Sequence, residues 1–329
     1  MDALADAVDA AAERTGFSGV VSVDRGGTVE FAKAYGLAHR PHRIANTVGT
    51  RFAIASGTKA LTALVIAGLV ERGRLEWSTT ARSVLGADLP LIAGDVTVEH
   101  LMAHRSGIGD YVDEDAGHAL TDYVLTVPPQ ALVTTEQYVA ALEGRPAKFA
   151  PGARFAYCNS GFVVLALIAE RVSGIAFHDL VRDRVCGPAG MPGTSFPRSD
   201  EPPDGVATGY LDAVRTNVFH LPVRGSGDGG AYSTVADISA LWRALFAGTI
   251  VGPELVATLL HPHSDVPAER RQYGLGFWLT GSGVLLEGLD PGVSFRSVHD
   301  PATGLTSTVI ANTATGAWPI ARALIPAPV

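Results

Sequence analysis

Apolar positions in residues 2–15, DALADAVDAAAERT, recur at helical spacing and predict an opening amphipathic helix. Two stretches rich in Val and aromatics follow, Gly19–Asp24 and Thr28–Tyr35, on either side of Arg25-Gly26-Gly27. They predict two strands joined in a hairpin. Residues 60–70, ALTALVIAGLV, are then apolar nearly all round. A helix with no polar face is a buried helix, and this one stops near Gly73. From there to about residue 205, helical segments such as Val98–Met102, Thr135–Leu142 and Gly161–Val172 alternate with Pro- and Gly-rich loops. Helices are expected again at Val235–Ala247 and Pro253–Leu260. Strands follow at Gly274–Thr280, Gly283–Glu287, Val293–His299 and Leu305–Asn312, and a short helix at Trp318–Leu324 closes the chain.

Strands at both ends with helices between them predict an α+β fold. One antiparallel sheet would be built from the two termini and flanked by their helices. The expected division is a sheet domain of residues 1–55 and 206–329 and an inserted all-helical domain of residues 56–205, with the active site between them.

The mouth of the buried helix reads Phe52-Ala53-Ile54-Ala55-Ser56-Gly57-Thr58-Lys59. A serine and a lysine three positions apart share one side of a helix. If Ser56 opens the helix, its hydroxyl sits where free N–H groups and the positive dipole end point outward. Lys59 then hangs beside a hydroxyl that must lose a proton, an arrangement suited to nucleophilic catalysis. Ser-x-x-Lys is common by chance, and what singles this one out is a lysine at the mouth of a buried helix.

Composition narrows the function classes. With 47% hydrophobic and 18% charged residues, the chain reads as globular rather than disordered. A formal net charge of -8 and the lack of a basic cluster argue against nucleic-acid binding. The apolar runs Leu61–Val70 and Phe162–Ala169 are too short for a membrane span. The acidic, helix-like N-terminus leads to the expectation of a cytoplasmic protein. The two cysteines, Cys158 and Cys186, form neither a disulfide framework nor a metal set.

Three further segments accompany the Ser56 motif. They are His104-Arg105-Ser106-Gly107-Ile108, the run Pro151–Phe162 containing Tyr157-Cys158-Asn159, and Gly229–Asp237 with its Gly-Gly pair. In this order and at these separations they resemble the β-lactamase-related serine hydrolases, a superfamily of class C β-lactamases, low-molecular-weight penicillin-binding proteins, D-aminopeptidases and family VIII carboxylesterases. The resemblance runs from about residue 15 to about 315 and implies a β-lactamase/transpeptidase-like fold. It also implies that Ser56 is the acylated nucleophile, Lys59 its proton partner and Tyr157 a second general acid or base. Asn159 would hydrogen-bond Lys59 and the substrate's acyl side chain. Unperturbed, neither a lysine nor a tyrosine is a useful base at pH 7. Desolvation would lower the lysine pKa, and a nearby cation the tyrosine pKa.

The third family motif departs from the pattern. Members usually carry Lys-Thr-Gly, His-x-Gly or Trp-Gly-Gly on a strand lining the cleft. Aligned through Pro291-Gly292, the residues here are Leu286-Glu287-Gly288. A second match, Ala302-Thr303-Gly304, reads as a hairpin turn. Either way no cation holds the first position, which weakens selection for β-lactams and acyl-D-Ala-D-Ala. Arg224 and Arg296 are candidate substitutes. The oxyanion hole would combine the N–H of Ser56 with that of Leu289. Glu287, with Gly288 and Leu289 part of the substrate-binding wall, would either favour an amine-bearing substrate or point to solvent.

Other patterns carry less. Gly225-Ser226-Gly227-Asp228-Gly229-Gly230 matches a dinucleotide fingerprint but lacks the preceding strand, so it reads as a loop bordering the cleft. His100 and His104 have the spacing of a zinc-protease pair, but residue 101 is Leu, not the Glu such a site needs. No metal and no cofactor are expected. The expected partner is a small ester or amide; a β-lactamase or D-Ala-D-Ala-type peptidase and a catalytically silent penicillin-binding-like sensor are the alternatives.

Overall fold

The computed structural model describes residues 2–324 apart from 115, 116, 118, 120, 123 and 282. The N-terminal segment folds as α1 (Asp2–Thr15), β1 (Gly19–Arg25) and β2 (Thr28–Tyr35). Two small strand pairs follow: β3 (Leu37–His39) with β4 (Ile44–Ala45), and β5 (Phe52–Ala53) with β6 (Tyr232–Ser233). The middle of the chain supplies α2 (Thr58–Glu71), α3 (Ala81–Leu85), α4 (Val98–Met102) and α5 (Val139–Leu142). It continues with α6 (Asn159–Ser173), α7 (Phe177–Val181) and α8 (Gly187–Ala189). After β6 come α9 (Val235–Phe246), α10 (Pro253–Leu259), β7 (Ser264–Val266), β8 (Arg271–Tyr273) and β9 (Trp278–Leu279). The chain then closes with β10 (Val284–Asp290), β11 (Val293–Asp300), β12 (Leu305–Ala311) and α11 (Ala317–Ala323).

Eight strands form one antiparallel sheet in the order β2-β1-β12-β11-β10-β9-β8-β7. The first hairpin therefore pairs with the last strand, Gly19 opposite Ala311. Side chains alternate between faces along each strand, and the two faces have different covers. Val21 and Val309 pack beneath α1 and α11. Their neighbours Val20 and Ile310 join Phe295 in a larger cluster with α2, α6 and α9. That one cluster runs from the sheet through both long helices of the middle segment.

α2 is buried from Thr58 to Leu69, as its all-round apolar pattern predicts. Leu61, Leu64, Val65 and Ile66 are each at most 2% exposed. Burial of side chains of this size contributes roughly 1.5–3 kcal/mol apiece, which makes α2 a fixed strut between sheet and α6. The segment expected as one strand, Gly274–Thr280, is instead a turn followed by β9. Gly274 N–H donates to Phe277 O at 2.8 Å, and Gly276 takes a φ of +90°. The cause is α2: a Cβ on Gly276 would stand 2.4 Å from that of Ala63. This close approach of the turn to α2 interrupts the strand pattern. Among the described residues no single helix is long and apolar enough to cross a membrane.

α9 is tied to the sheet by a buried bond from Trp242 Nε1–H to Ser297 Oγ, 2.9 Å, and Ser297 Oγ in turn lies 2.8 Å from Thr308 Oγ1. Replacing Trp242 with Phe removes that bond and leaves a void, so urea unfolding is expected to show a loss of about 2 kcal/mol.

Candidate active site

Ser56 lies in a single 3-10 turn, Ala55–Gly57, rather than in the first turn of α2 that follows it. The turn is set by Ala55, whose φ is +45°. A positive φ on a residue with a Cβ costs energy and persists only where the surroundings hold it. Here Ile54 N–H donates to Ala231 O at 2.9 Å, and Thr58 Oγ1 donates to Ala55 O at 2.7 Å. The strained turn lifts Ser56 out of the β5 edge and into a cavity of about 700 Å³.

Three polar side chains on α2, Thr58, Lys59 and Thr62, are buried, and each is satisfied by backbone from another segment. Thr58 Oγ1 accepts from Ala231 N–H at 3.1 Å, and Thr62 Oγ1 donates to Gly227 O at 2.6 Å. Lys59 Nζ donates to Asp228 O and to Asn159 Oδ1, both at 2.8 Å, and to Ser56 Oγ at 2.9 Å. The glycine-rich segment 225–230 is therefore a loop clasped by α2 and bordering the cavity, as its sequence context predicted. Lys59 is 2% exposed. Burial pushes its amine below the usual lysine range, against the pull of Asp228, Glu114, Asp290 and Asp110.

Tyr157 reaches the same point from the start of α6. Tyr157 and Ser56 line the same cavity. The ring lies against His104 with centroids 4.2 Å apart and stacks on Trp278 at 6.2 Å with a 7° interplanar angle. Lys59 Nζ stands 4.9 Å from its centroid. The expectation that a nearby cation lowers the phenol pKa is corrected here. Burial raises it well above the ordinary value and Glu114 adds to the rise, and the opposing pull of the Ser56 side chain does not offset them. At neutral pH the phenol holds its proton.

Two supports hold this arrangement: Asp110, which was not legible in the sequence, and His104, which its place before the Ser106-Gly107 turn marks as a structural hydrogen-bonder. Asp110 Oδ2 accepts from Asn159 N–H at 2.8 Å, and its Oδ1 accepts from Ser160 N–H at 2.8 Å. Cys158, the N-cap, makes no side-chain cap, so the cap for α6 comes from a distant loop. Burial moves the Asp110 carboxyl up to about 6. His104 has a φ of +54°, and its Nδ1 accepts from Cys158 N–H at 3.1 Å. Burial, followed by the charge of Lys59, holds its ring well below the usual histidine pKa, hence neutral. His100 caps α4 with Thr97, and no cluster of metal-ligating side chains exists among the described residues. Cys158 is a buried thiol whose pKa burial raises.

β10 supplies the third wall. It pairs with β9 at Val284 and Leu285 alone, which leaves its edge unpaired beyond those residues. The two-residue turn Pro291-Gly292 makes Asp290–Val293 the closing hydrogen-bonded pair with β11. By alternation, the main-chain groups of Leu289 and Glu287 face the open edge. Gly288 permits the approach to the Ser56 turn: a Cβ there would lie 2.6 Å from Ser56 N and 2.5 Å from Ile54 O. The β10 main chain at Gly288 thereby lies against the main chain of the Ser56 turn.

Glu287 neither stands free for a substrate nor points into solvent. Arg271 holds it at 2.5 Å and Arg296 at 3.2 Å. Arg296 is thereby committed, and the Arg224 guanidinium is turned to Phe196 O at 3.0 Å. Neither lines the cavity; its arginine is Arg154, at an exposed position. Ala302-Thr303-Gly304 forms the β11–β12 turn, as its pattern predicted.

A family model described as Beta-lactamase matches residues 4–325. Among characterised proteins, the chain is 29% identical over 316 residues to esterase EstB of Burkholderia gladioli, covering 84% of this chain and 77% of that one. It is 27% identical over 282 residues to a putative penicillin-binding protein, PbpX, of Bacillus subtilis, covering 84% of this chain. The chain spans 66% of the length of that protein and 45% of a D-aminopeptidase from Cereibacter sphaeroides. A solved penicillin binding protein from Bacillus halodurans aligns with a TM-score of 0.90 at 35% identity over 96% of this chain and 98% of that one.

The packing of Gly288 makes a sharp expectation. Gly288→Ala should drive the β10 edge away from Ser56 and slow covalent labelling by a serine-directed fluorophosphonate by about 100-fold, the cost of a lost oxyanion donor. Labelling kinetics beside circular dichroism separate this from unfolding.

Proposed function

The chain belongs to the β-lactamase family, and from that premise we propose that it is a serine hydrolase opening small esters or amides through an acyl-enzyme on Ser56. The observation that carries this reading is Lys59 Nζ, buried and 2.9 Å from Ser56 Oγ with its other donors committed to Asn159 Oδ1 and Asp228 O. An amine held this way needs no reorganisation before it accepts the serine proton.

In this reading the neutral Lys59 amine keeps its two N–H groups on Asn159 Oδ1 and Asp228 O, with its lone pair turned to Ser56, and takes the hydroxyl proton as Ser56 Oγ attacks the substrate carbonyl. The resulting oxyanion is received by the N–H groups of Ser56 and Leu289. Tyr157 is protonated at rest and lines the same cavity beside Lys59, so it hands a proton to the departing alcohol or amine and is refilled from Lys59. Water then attacks the ester on Ser56 with the same groups in reverse. Asn159 holds Lys59 through Oδ1, while its Nδ2–H group donates to Val112 O and Glu114 Oε1, at 3.0 and 3.2 Å. Asn159 thereby ties the lysine to the cavity wall.

The wall favours an esterase or amidase over an enzyme of anionic β-lactams, because the arginines beside the third motif, Arg271 and Arg296, are both tied to Glu287. Wild-type protein is expected to show an acyl adduct on Ser56 by intact-mass spectrometry with p-nitrophenyl butyrate, and Ser56→Ala none. The kcat/KM for this ester should exceed that for nitrocefin by about 100-fold or more, a difference of transition-state binding. Absence of any adduct with either compound would favour a silent sensor.

The pH dependence has a defined sign. Lys59 protonated is inactive, and its pKa lies below the ordinary lysine value of 10.5. The acid limb of kcat/KM should therefore rise with pH through an inflection below 10.5, and the raised Tyr157 phenol should give no loss at or below pH 10. A stopped-flow pH profile checks both limbs.

A further inference from the structure

The cavity wall is acidic. Asp113, Glu114, Asp228, Glu269, Glu287 and Asp290 line it, against Arg154 and His220. Five of these six acids are matched within the chain. Asp113 binds Lys148 at 2.7 Å, and Glu114 accepts from Asn159 Nδ2–H at 3.2 Å. Asp228 accepts from the Tyr111 hydroxyl at 2.6 Å. Arg271 lies 3.5 Å from Glu269 and shares Glu287 with Arg296. Asp290 is the exception: it accepts no hydrogen bond and forms no ion pair among the described residues.

Its position is as informative as its isolation. Asp290 lies two residues beyond Gly288 on β10 and so on the same face, the one turned toward the Ser56 turn. A Cβ on Gly229 would be 3.8 Å from both Asp290 Oδ2 and Ala55 O. The carboxylate thus stands beside the nucleophile's own turn, half-buried, and Lys59 is already committed to three acceptors. Burial raises its pKa to about 7; Asp228 and Glu114 push the same way against Lys59. A half-buried carboxylate without a partner carries an unmet desolvation cost that a cation entering the cavity would offset.

We propose that Asp290 is a specificity-determining residue that receives a primary ammonium group on the substrate, close to the carbonyl attacked by Ser56. The enzyme then selects amine-bearing esters or amides over neutral and anionic ones. This rests on the hydrolase reading for its chemistry, but the charge preference is measurable without turnover.

The test uses the full chain carrying Ser56→Ala and isosteric amides at two lengths: glycinamide against propionamide, and β-alaninamide against butyramide. Succinamate serves as the anionic counterpart of the second pair. Titrations followed by protein NMR should show the ammonium member of at least one pair binding about tenfold tighter than its neutral isostere, with succinamate weakest. Adding Asp290→Asn should bring that ratio to about one, and Asp290→Glu should retain a preference. Equal binding within both pairs overturns the proposal, as does a preference that survives Asp290→Asn. Should Asp290→Asn fail to fold, the isostere ratio in Ser56→Ala and its survival in Asp290→Glu decide. An intact charge preference alongside no acylation of wild-type Ser56 would sink the hydrolase reading and leave the ammonium site standing.

Discussion

A lysine amine taken out of water without a carboxylate in contact is the constraint on which the site depends. Lys59 makes no ion pair among the described residues; its three bonds go to a hydroxyl, an amide oxygen and a backbone carbonyl. A direct salt bridge would favour the ammonium. Neutral acceptors satisfy the donors while leaving desolvation to dominate. The four carboxylates that act on Lys59 do so from farther away and only temper that effect.

The rest of the architecture follows from holding three segments against that amine. The 3-10 turn before α2 brings Ser56 and α2 brings Lys59, the entry to α6 brings Tyr157 and Asn159, and the 225–230 loop brings the Asp228 carbonyl. Burial of α2 and α6 in one cluster makes their separation fixed rather than adjustable. Asp110 fixes the start of α6, and the rings of His104 and Trp278 fix the tyrosine. β10 completes the enclosure, and Gly288 is the residue at which backbone meets backbone.

The same burial that tunes the amine makes the wall's charges count. Inside such a cavity an uncompensated carboxylate is felt more strongly than at an open surface. Glu287 stands in the third motif but is neutralised by two arginines, so its identity in the sequence overstated its influence on a ligand. Asp290, three residues on, is the wall acid with no hydrogen bond or ion pair among the described residues.

By itself the sequence determined the elements with strong periodicity and the chemistry with a fixed local spacing. The all-round apolar run after Ser56 meant a buried helix, and both terminal hairpins lie where their turn residues place them, since period and turn geometry are local properties. Ser56 and Lys59 were legible together because one helical turn joins them. Tyr157 and Asn159 were legible through resemblance, for nothing local brings residue 157 to residue 56. Tertiary structure decided the rest. It placed Asp110 under α6, committed Arg296 to Glu287, broke the expected strand at Gly276 against Ala63, and kept the phenol protonated. Each of these depends on burial or on a partner from a distant segment, and desolvation and pairing exist only once the chain has closed on itself.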